Sequence, residues 1–404
     1  MKRSSTARAG TIGWLMLTGA ASLPGCGGGD SEGDANDGGK GGSLAGGSAG
    51  SSGTAGSPTG GSAGTPASGG AASGGTSSGG TTSGGTAGAS GGTAGSGGGT
   101  SQGCGTTVNV NLNPFGCGFA WGANGNNNNR ASYLQFITGW IGYEPFPPNN
   151  RPNDCDGCGL VRDLAATDAI PVFYAYYIGY AATADGYGDC NTDNDDDLCT
   201  HGAQWIREHR QQILDFYSSY AERVYAANPN KPVVWLLDGD FMQYTEMSQT
   251  QPLSVADLGA LADDITCAIK TNAPNAVVAV NHTPWNGNEE TDDFFGALDL
   301  SIYDMVWTTG VGDNDGLINQ GAGSNEYNSM TARYSYIHQT TGKTLFVDTS
   351  FGVSQQADSW SNNPASVLND RIADGVIAAN VTEPPTDYQS RIAGLAPALD
   401  STCE

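Results

Sequence analysis

Apolar and polar positions divide the chain near residue 104. Beyond it, short runs of mostly apolar residues recur at 118–122, 170–178, 232–241, 276–281, 305–309, 344–348 and 375–381. Several are continuously apolar, the pattern of strands buried on both faces. Between them the period lengthens to three and four. Residues 201–227 place Ile206, Ile213, Tyr217, Tyr220 and Val224 on one stripe, with Arg207, Glu208, Arg210 and Glu222 outside it. That spacing predicts an amphipathic helix. Residues 254–273 open with Ser254-x-x-Asp257, a capping signature, and run on through Leu258, Leu261, Ile265 and Ile269. A third helix is expected over 325–340. Strand–helix alternation across about 300 residues predicts an α/β fold, a distorted parallel (β/α) barrel of seven or eight strands. No dinucleotide or phosphate-loop fingerprint follows any of these strands, which counts against a nucleotide-binding sheet. No cofactor is expected.

The first 103 residues have no such pattern. Between Gly27 and Gly103 lie 32 of the chain's 62 glycines, no aromatic residue and, after Lys40, no charge. Such a composition buries too little apolar surface to offset chain entropy, so residues 27–103 are expected to be a disordered tether. A Gly/Ser-rich chain of this length reaches on the order of 50 Å. Ahead of it, Lys2, Arg3 and Arg8 precede an apolar run over 12–23 that is too short to span a bilayer and reads as an export signal. The run ends in Leu23-Pro24-Gly25-Cys26, which resembles the bacterial lipobox. That resemblance implies cleavage before Cys26, lipidation of Cys26, and a lipid-anchored domain at the outer membrane or cell surface. The expected division is therefore a signal over 1–26, a tether over 27–103 and a folded domain over 104–404.

Charge narrows the partners. The net charge of −25 falls on the folded domain, as 37 acids against 12 bases. Binding to nucleic acid or anionic lipid through a basic face is excluded, and a neutral partner fits better. The domain is expected to be monomeric. Setting Cys26 aside leaves an even set of cysteines, at 104, 117, 155, 158, 190, 199, 267 and 403. In an exported chain an even set implies disulfides, with Cys155–Cys158 and Cys190–Cys199 the local candidates. The four scattered histidines supply no second ligand pair for zinc.

In a parallel barrel, function collects where strands end. The ends here carry Tyr174, Tyr176 and Tyr177; Asp238-Gly239-Asp240; Asn281 through Trp285; Trp307-Thr308-Thr309; Asp348-Thr349-Ser350; and Asn380 through Glu383. Acids, amides and aromatics at apolar strand ends suit a carbohydrate, with rings stacking on sugar faces and polar groups binding hydroxyls. Hydrolysis of a glycosidic bond needs a carboxyl group that stays protonated. Asp238 and Asp240 are two apart on a strand, so they share a face and oppose each other's ionisation. A hydrogen-bonded Asp-Gly turn explains the pair equally well.

The order of these segments resembles the family 6 glycoside hydrolases. Val233 through Asp240 is similar to that family's "LVIEPD" strand, Gly188-Asp189-Cys190 to its "RDC", and Val277 through Trp285 to its "YLDAGHAGW". Leu345 through Ser350 is similar to its "FIIDTSRNG", and Asn380 through Pro385 more weakly to its "VKPPGE". The resemblance spans 170–387 and implies an inverting β-1,4-glucan hydrolase acting on a polysaccharide. It implies Asp240 as general acid, Asp189 as its assistant, and Glu383 or Asp387 ordering the attacking water. Tyr177, Trp285 and Trp307 would be sugar platforms, with Asp238, Asn281, His282 and Glu383 binding substrate. Asp238, Asn281 and Asn380 stand where the family has Glu, Asp and Lys. Those replacements favour the alternative of a non-catalytic glycan-binding surface protein. Two carboxylates from different strands, Asp240 and Asp348, are a further possibility, as a retaining glycosidase requires. Asp193, Asp195 and Asp197 alternate as in calcium loops but lack the Gly and Glu of that motif, so a solvated acidic loop competes with a calcium site. No Gly-x-Ser-x-Gly elbow supports a serine triad.

Overall fold

The structure is a computed structural model. It describes residues 99–101, 103–125, 132–143, 155–189, 197–283, 286–309, 332–349, 364–381 and 384–399. The expected signal, the lipidated Cys26, nearly all of the tether, Cys190, Trp285, Glu383 and most of the Asp193–Asp197 loop lie outside the described residues. Asp197 itself caps a helix, its side chain accepting from the Thr200 N–H.

A short antiparallel pair, β1 (Gly99–Ser101) and β2 (Val108–Val110), precedes the barrel. The barrel strands are β3 (Ala120–Asn124), β4 (Phe136–Ile141), β5 (Ile170–Ala175), β6 (Val233–Leu237), β7 (Ala276–His282), β8 (Met305–Thr309), β9 (Thr344–Asp348) and β10 (Val376–Val381). Each pairs in parallel with the next, and β10 returns to β3, so the barrel is closed by eight strands. The helices are α1 (Cys158–Asp163), α2 (Tyr177–Ala184), α3 (Leu198–Ala227), α4 (Val255–Asn272), α5 (Asn288–Gly296), α6 (Tyr334–Thr341), α7 (Pro364–Ala373) and α8 (Tyr388–Ile392). The barrel expectation is borne out. The strand that the apolar runs do not announce is β4, where Thr138 and Gly139 interrupt the hydrophobic sequence.

Alternation along each strand builds two cores. Ala120, Phe136, Val172, Val234, Leu236, Val277, Ala279 and Phe346 fill the barrel interior. Their neighbours face the helices: Trp235 packs edge-on against Phe173 at 5.4 Å and Tyr220 at 5.9 Å. Interior space is tight at the β3–β4 contact, where a Cβ on Gly122 would lie 1.9 Å from the Phe136 ring. Only glycine fits there. Ser254 caps α4 as expected, accepting from the Asp257 N–H at 3.0 Å.

The N-terminal end of the barrel is closed by the segment that follows β2. Phe115 lies 5.2 Å from Phe136 and 6.4 Å from Phe346, ring to ring. A disulfide between Cys104, which precedes β2, and Cys267 pins the chain leading into this segment to α4. Beside it, Lys270 and Asp304 form a buried ion pair at 2.7 Å. Asp304 also accepts from the N–H groups of Leu112 at 3.0 Å and Val278 at 2.8 Å, while Lys270 donates to the Asn109 carbonyl at 2.6 Å. The local Cys155–Cys158 disulfide is formed.

Candidate active site

The period-two pattern that fills the interior with apolar residues ends, at the C-terminal mouth, in polar ones. Following the inward positions gives Thr138 and Trp140 on β4, Tyr174 on β5, Asp238 just after β6, Asn281 on β7, Trp307 and Thr309 on β8, Asp348 on β9 and Asn380 on β10. A small open-mouthed cavity lies there, walled by Trp140, Tyr174, Tyr176, Leu236, Asp238 and Trp307.

On one side, Tyr176 joins two carboxylates. Its hydroxyl donates to Asp240 Oδ2 at 2.7 Å and lies 3.1 Å from Asp189 Oδ1. One phenolic proton cannot serve both acceptors, so the trio is complete only when one carboxyl carries a further proton. Burial, with the nearby Asp189 charge, pushes the Asp240 carboxyl up to about 6, against the pull of the Tyr176 and Gln243 hydrogen bonds. Asp238 Oδ1 accepts from the Asp240 N–H at 2.9 Å. Burial, then the Asp240 charge, raises the Asp238 carboxyl well above the usual carboxylate range. These are the conditions that make a general acid.

A second network joins Tyr174, Asp348 and Asn380. The Tyr174 hydroxyl donates to Asp348 Oδ2, and Asn380 Nδ2 reaches the same oxygen at 3.1 Å and the Tyr174 hydroxyl at 2.9 Å. Thr138 donates to Asn380 Oδ1 at 3.2 Å. Asp348 is thus held as an acceptor by two neighbours. Trp140 stacks on Tyr174, with ring centres 4.8 Å apart and planes 24° apart, and meets Tyr176 edge-on at 5.9 Å.

The structure brings Asp189, Asp238, Asp240, Asn281 and Trp307 of the expected set to the barrel mouth or its interior. Trp307 forms a cavity wall and not an open platform: it is buried, with Nε1 donating to the Leu237 carbonyl at 2.6 Å. Three expectations are corrected. Tyr177 is not a sugar platform, because α2 begins there and turns its ring outward onto Phe216, stacked at 3.7 Å. His282 does not reach the cavity, because it follows the inward Asn281 by one residue. Its Nε2 meets Thr291 Oγ1 at 2.8 Å, its ring lies parallel to Phe295, and burial lowers it to about 3, so it stays neutral. Asp387 is exposed and paired with Arg391 at 2.9 Å, which holds its carboxyl below the usual range and leaves it unsuited to activate water. Trp140 is the cavity residue that sequence reasoning missed. The alternation Phe136-x-Thr138-x-Trp140 was the available signal.

No family model matches the chain, and no curated protein does. Among solved structures, it is similar to an endo-β-1,4-mannanase double mutant from Cellulomonas fimi, at 12% identity and a TM-score of 0.45 over 66% of this chain and 65% of that one. It is also similar to a family 26 β-mannanase from Bacteroides ovatus, at 10% identity and a TM-score of 0.46, over 68% of this chain and 86% of that one. Thermotoga maritima Cel5A gives 9% identity and a TM-score of 0.39, over 66% and 90%. The chain thus spans 65% of the length of the Cellulomonas mannanase. The family 6 resemblance is not upheld: no family model matches the chain, the similar structures are mannanases and a Cel5A, and the barrel closes with eight strands. The physical reason is that an apolar strand ending in an acid recurs in any parallel barrel with a polar mouth. Short strings in the right order therefore do not identify one family.

Proposed function

We propose that the barrel hydrolyses glycosidic bonds in a neutral polysaccharide, with Asp240 as the general acid. The observation that carries this reading is the buried Asp240 carboxyl, raised to about 6 and held by Tyr176 beside an aromatic-walled cavity. Asp240 protonates the leaving oxygen. Glycoside hydrolysis requires a second carboxylate, and Asp348, held by Tyr174 and Asn380 at the end of β9, is the candidate at the same barrel mouth. Trp140 offers the ring on which a sugar stacks. Asp189, through Tyr176, helps to keep the proton on Asp240.

Charge sets the substrate class. Asp238 lines the cavity, Asp189 and Asp240 bond its wall residue Tyr176, Asp348 bonds its wall residue Tyr174, and among the described residues neither Lys nor Arg lines it. A polyuronate is therefore refused and a neutral chain accepted. The test is release of reducing ends from β-1,4-glucan, β-mannan, β-galactan and polygalacturonate. At least one neutral polymer should be cleaved and polygalacturonate should not. Preferred cleavage of polygalacturonate would refute the charge argument. Binding without release from any polymer would replace the hydrolase with a glycan-binding protein.

The N-terminal sequence pattern supports an envelope location for this activity. We propose that lipidated Cys26 anchors the domain and that the Gly/Ser-rich stretch from residue 27 to the start of β1 lets it range over a polymer surface. Cys26→Ser should move the protein from the membrane fraction to the soluble one. A variant that still sediments with membranes would contradict the anchor.

A further inference from the structure

Three consecutive strands end in buried polar atoms without a hydrogen-bond partner among the described residues. They are Asp238 Oδ2 after β6, Asn281 Nδ2 on β7 and Thr309 Oγ1 on β8. Each of these residues is 1% exposed or less. All three occupy inward positions, because Leu236, Ala279 and Trp307, two residues before each, belong to the barrel interior. They are also neighbours: Leu236 pairs with Ala279, and Asn281 pairs with Trp307. Asp238 and Trp307 wall the cavity, and Asn281 pairs with Trp307 while Thr309 follows it by two on the same face, which sets the arc beside the cavity.

Buried polar groups are nearly always satisfied, and leaving one unmade is costly. One orphan is a local accident. Three on adjacent strands, on one face and beside one cavity, point to partners that arrive with a ligand. Their chemistry is complementary to hydroxyl groups: an amide donor, a hydroxyl that gives and accepts, and a carboxyl oxygen. Neither a cation nor a second anion is needed to complete it.

Resting on the hydrolase reading above, we propose that Asp238, Asn281 and Thr309 form the specificity arc that reads adjacent free hydroxyls of one neutral sugar ring. One hydroxyl accepts from Asn281 Nδ2 and bonds Asp238 Oδ2. Its neighbour exchanges a hydrogen bond with Thr309 Oγ1. A unit whose hydroxyl is missing or acylated leaves these atoms unpaired again, and sites built this way reject such analogues strongly. The arc therefore selects undecorated stretches of the polysaccharide.

Calorimetric titration of cellohexaose, mannohexaose and galactohexaose into the Asp240→Asn protein tests this without turnover. Thr309→Val, added to that background, keeps shape and removes the hydroxyl. Asn281→Asp keeps the oxygen that accepts from Thr283 and removes the amide donor. Each should weaken the hexasaccharide that binds by about 10- to 100-fold. Thr309→Val should leave the melting temperature unchanged or higher, since it deletes an unpaired buried hydroxyl; a purely structural hydroxyl would lower it. Unchanged affinity in both variants overturns the arc and leaves the hydrolase reading intact. If the Asp240→Asn protein binds none of the three and wild type cleaves no polymer, the hydrolase reading falls and the arc with it.

Discussion

Asp240→Asn is expected to lower kcat on a neutral polysaccharide by about 10²- to 10⁴-fold, the usual cost of a lost general acid. Oligosaccharide affinity should persist, because Trp140, Asn281 and Thr309 are untouched. The wild-type pH profile should carry the same signature. A general acid works only while protonated, and Asp240 holds its proton up to about 6, so kcat/KM should fall as pH rises through that value. In Asp240→Asn that limb should vanish. The same carboxyl links to stability. Its folded value lies above its ordinary value of 3.8, so its contribution is complete below about 3.8 and is lost as pH rises through about 6. Unchanged kcat in Asp240→Asn would place the acid elsewhere.

Lys270→Met should destabilise the domain by about 3–5 kcal/mol, the cost of leaving a buried charge unpaired. The Asp304 carboxylate is buried and would keep two backbone donors but lose the ammonium that pairs with it. Lys270 also loses its bond to the Asn109 carbonyl, which helps to seat the segment closing the barrel floor. Burial already pushes the Lys270 ammonium down and the Asp304 carboxyl up, so neither is comfortable without the other. Denaturant unfolding of wild type and variant measures the difference. A change below 1 kcal/mol would mean that water reaches Asp304 and that the floor is looser than described.

Much of this architecture was legible. The runs over 233–237 and 276–280 are apolar on both faces, as strands of a parallel sheet covered by helices are. The stripe on α3 and the Ser254 cap on α4 were local signals, and both formed locally. The floor was not legible, because Cys104 and Cys267 are 163 residues apart and nothing local pairs them. Nor was β4, where Thr138 and Gly139 dilute the hydrophobic run and hide Trp140.

At the site, the closeness of Asp238 and Asp240 was legible from their spacing of two, but β6 ends at Leu237 and the turn that competed with the functional reading is also formed, the Asp240 N–H donating to Asp238 Oδ1. Tyr177 and His282 were misread for one reason. Each sits one position from an inward residue, Tyr176 or Asn281, and a single step along the chain reverses the face. For Tyr177 the step coincides with the start of α2, where the period changes from two to 3.6. The Asp189–Tyr176–Asp240 bridge depends on a loop returning to the mouth, which no spacing in the sequence records.

The general-acid role of Asp240 is tested most directly by leaving-group dependence. A dinitrophenyl glycoside of the preferred sugar departs without protonation, whereas an oligosaccharide does not. Asp240→Asn should keep near wild-type kcat on the dinitrophenyl glycoside while losing about 10²- to 10⁴-fold on the oligosaccharide. An equal loss on both substrates would contradict the account, for it would show that Asp240 shapes the site without donating the proton.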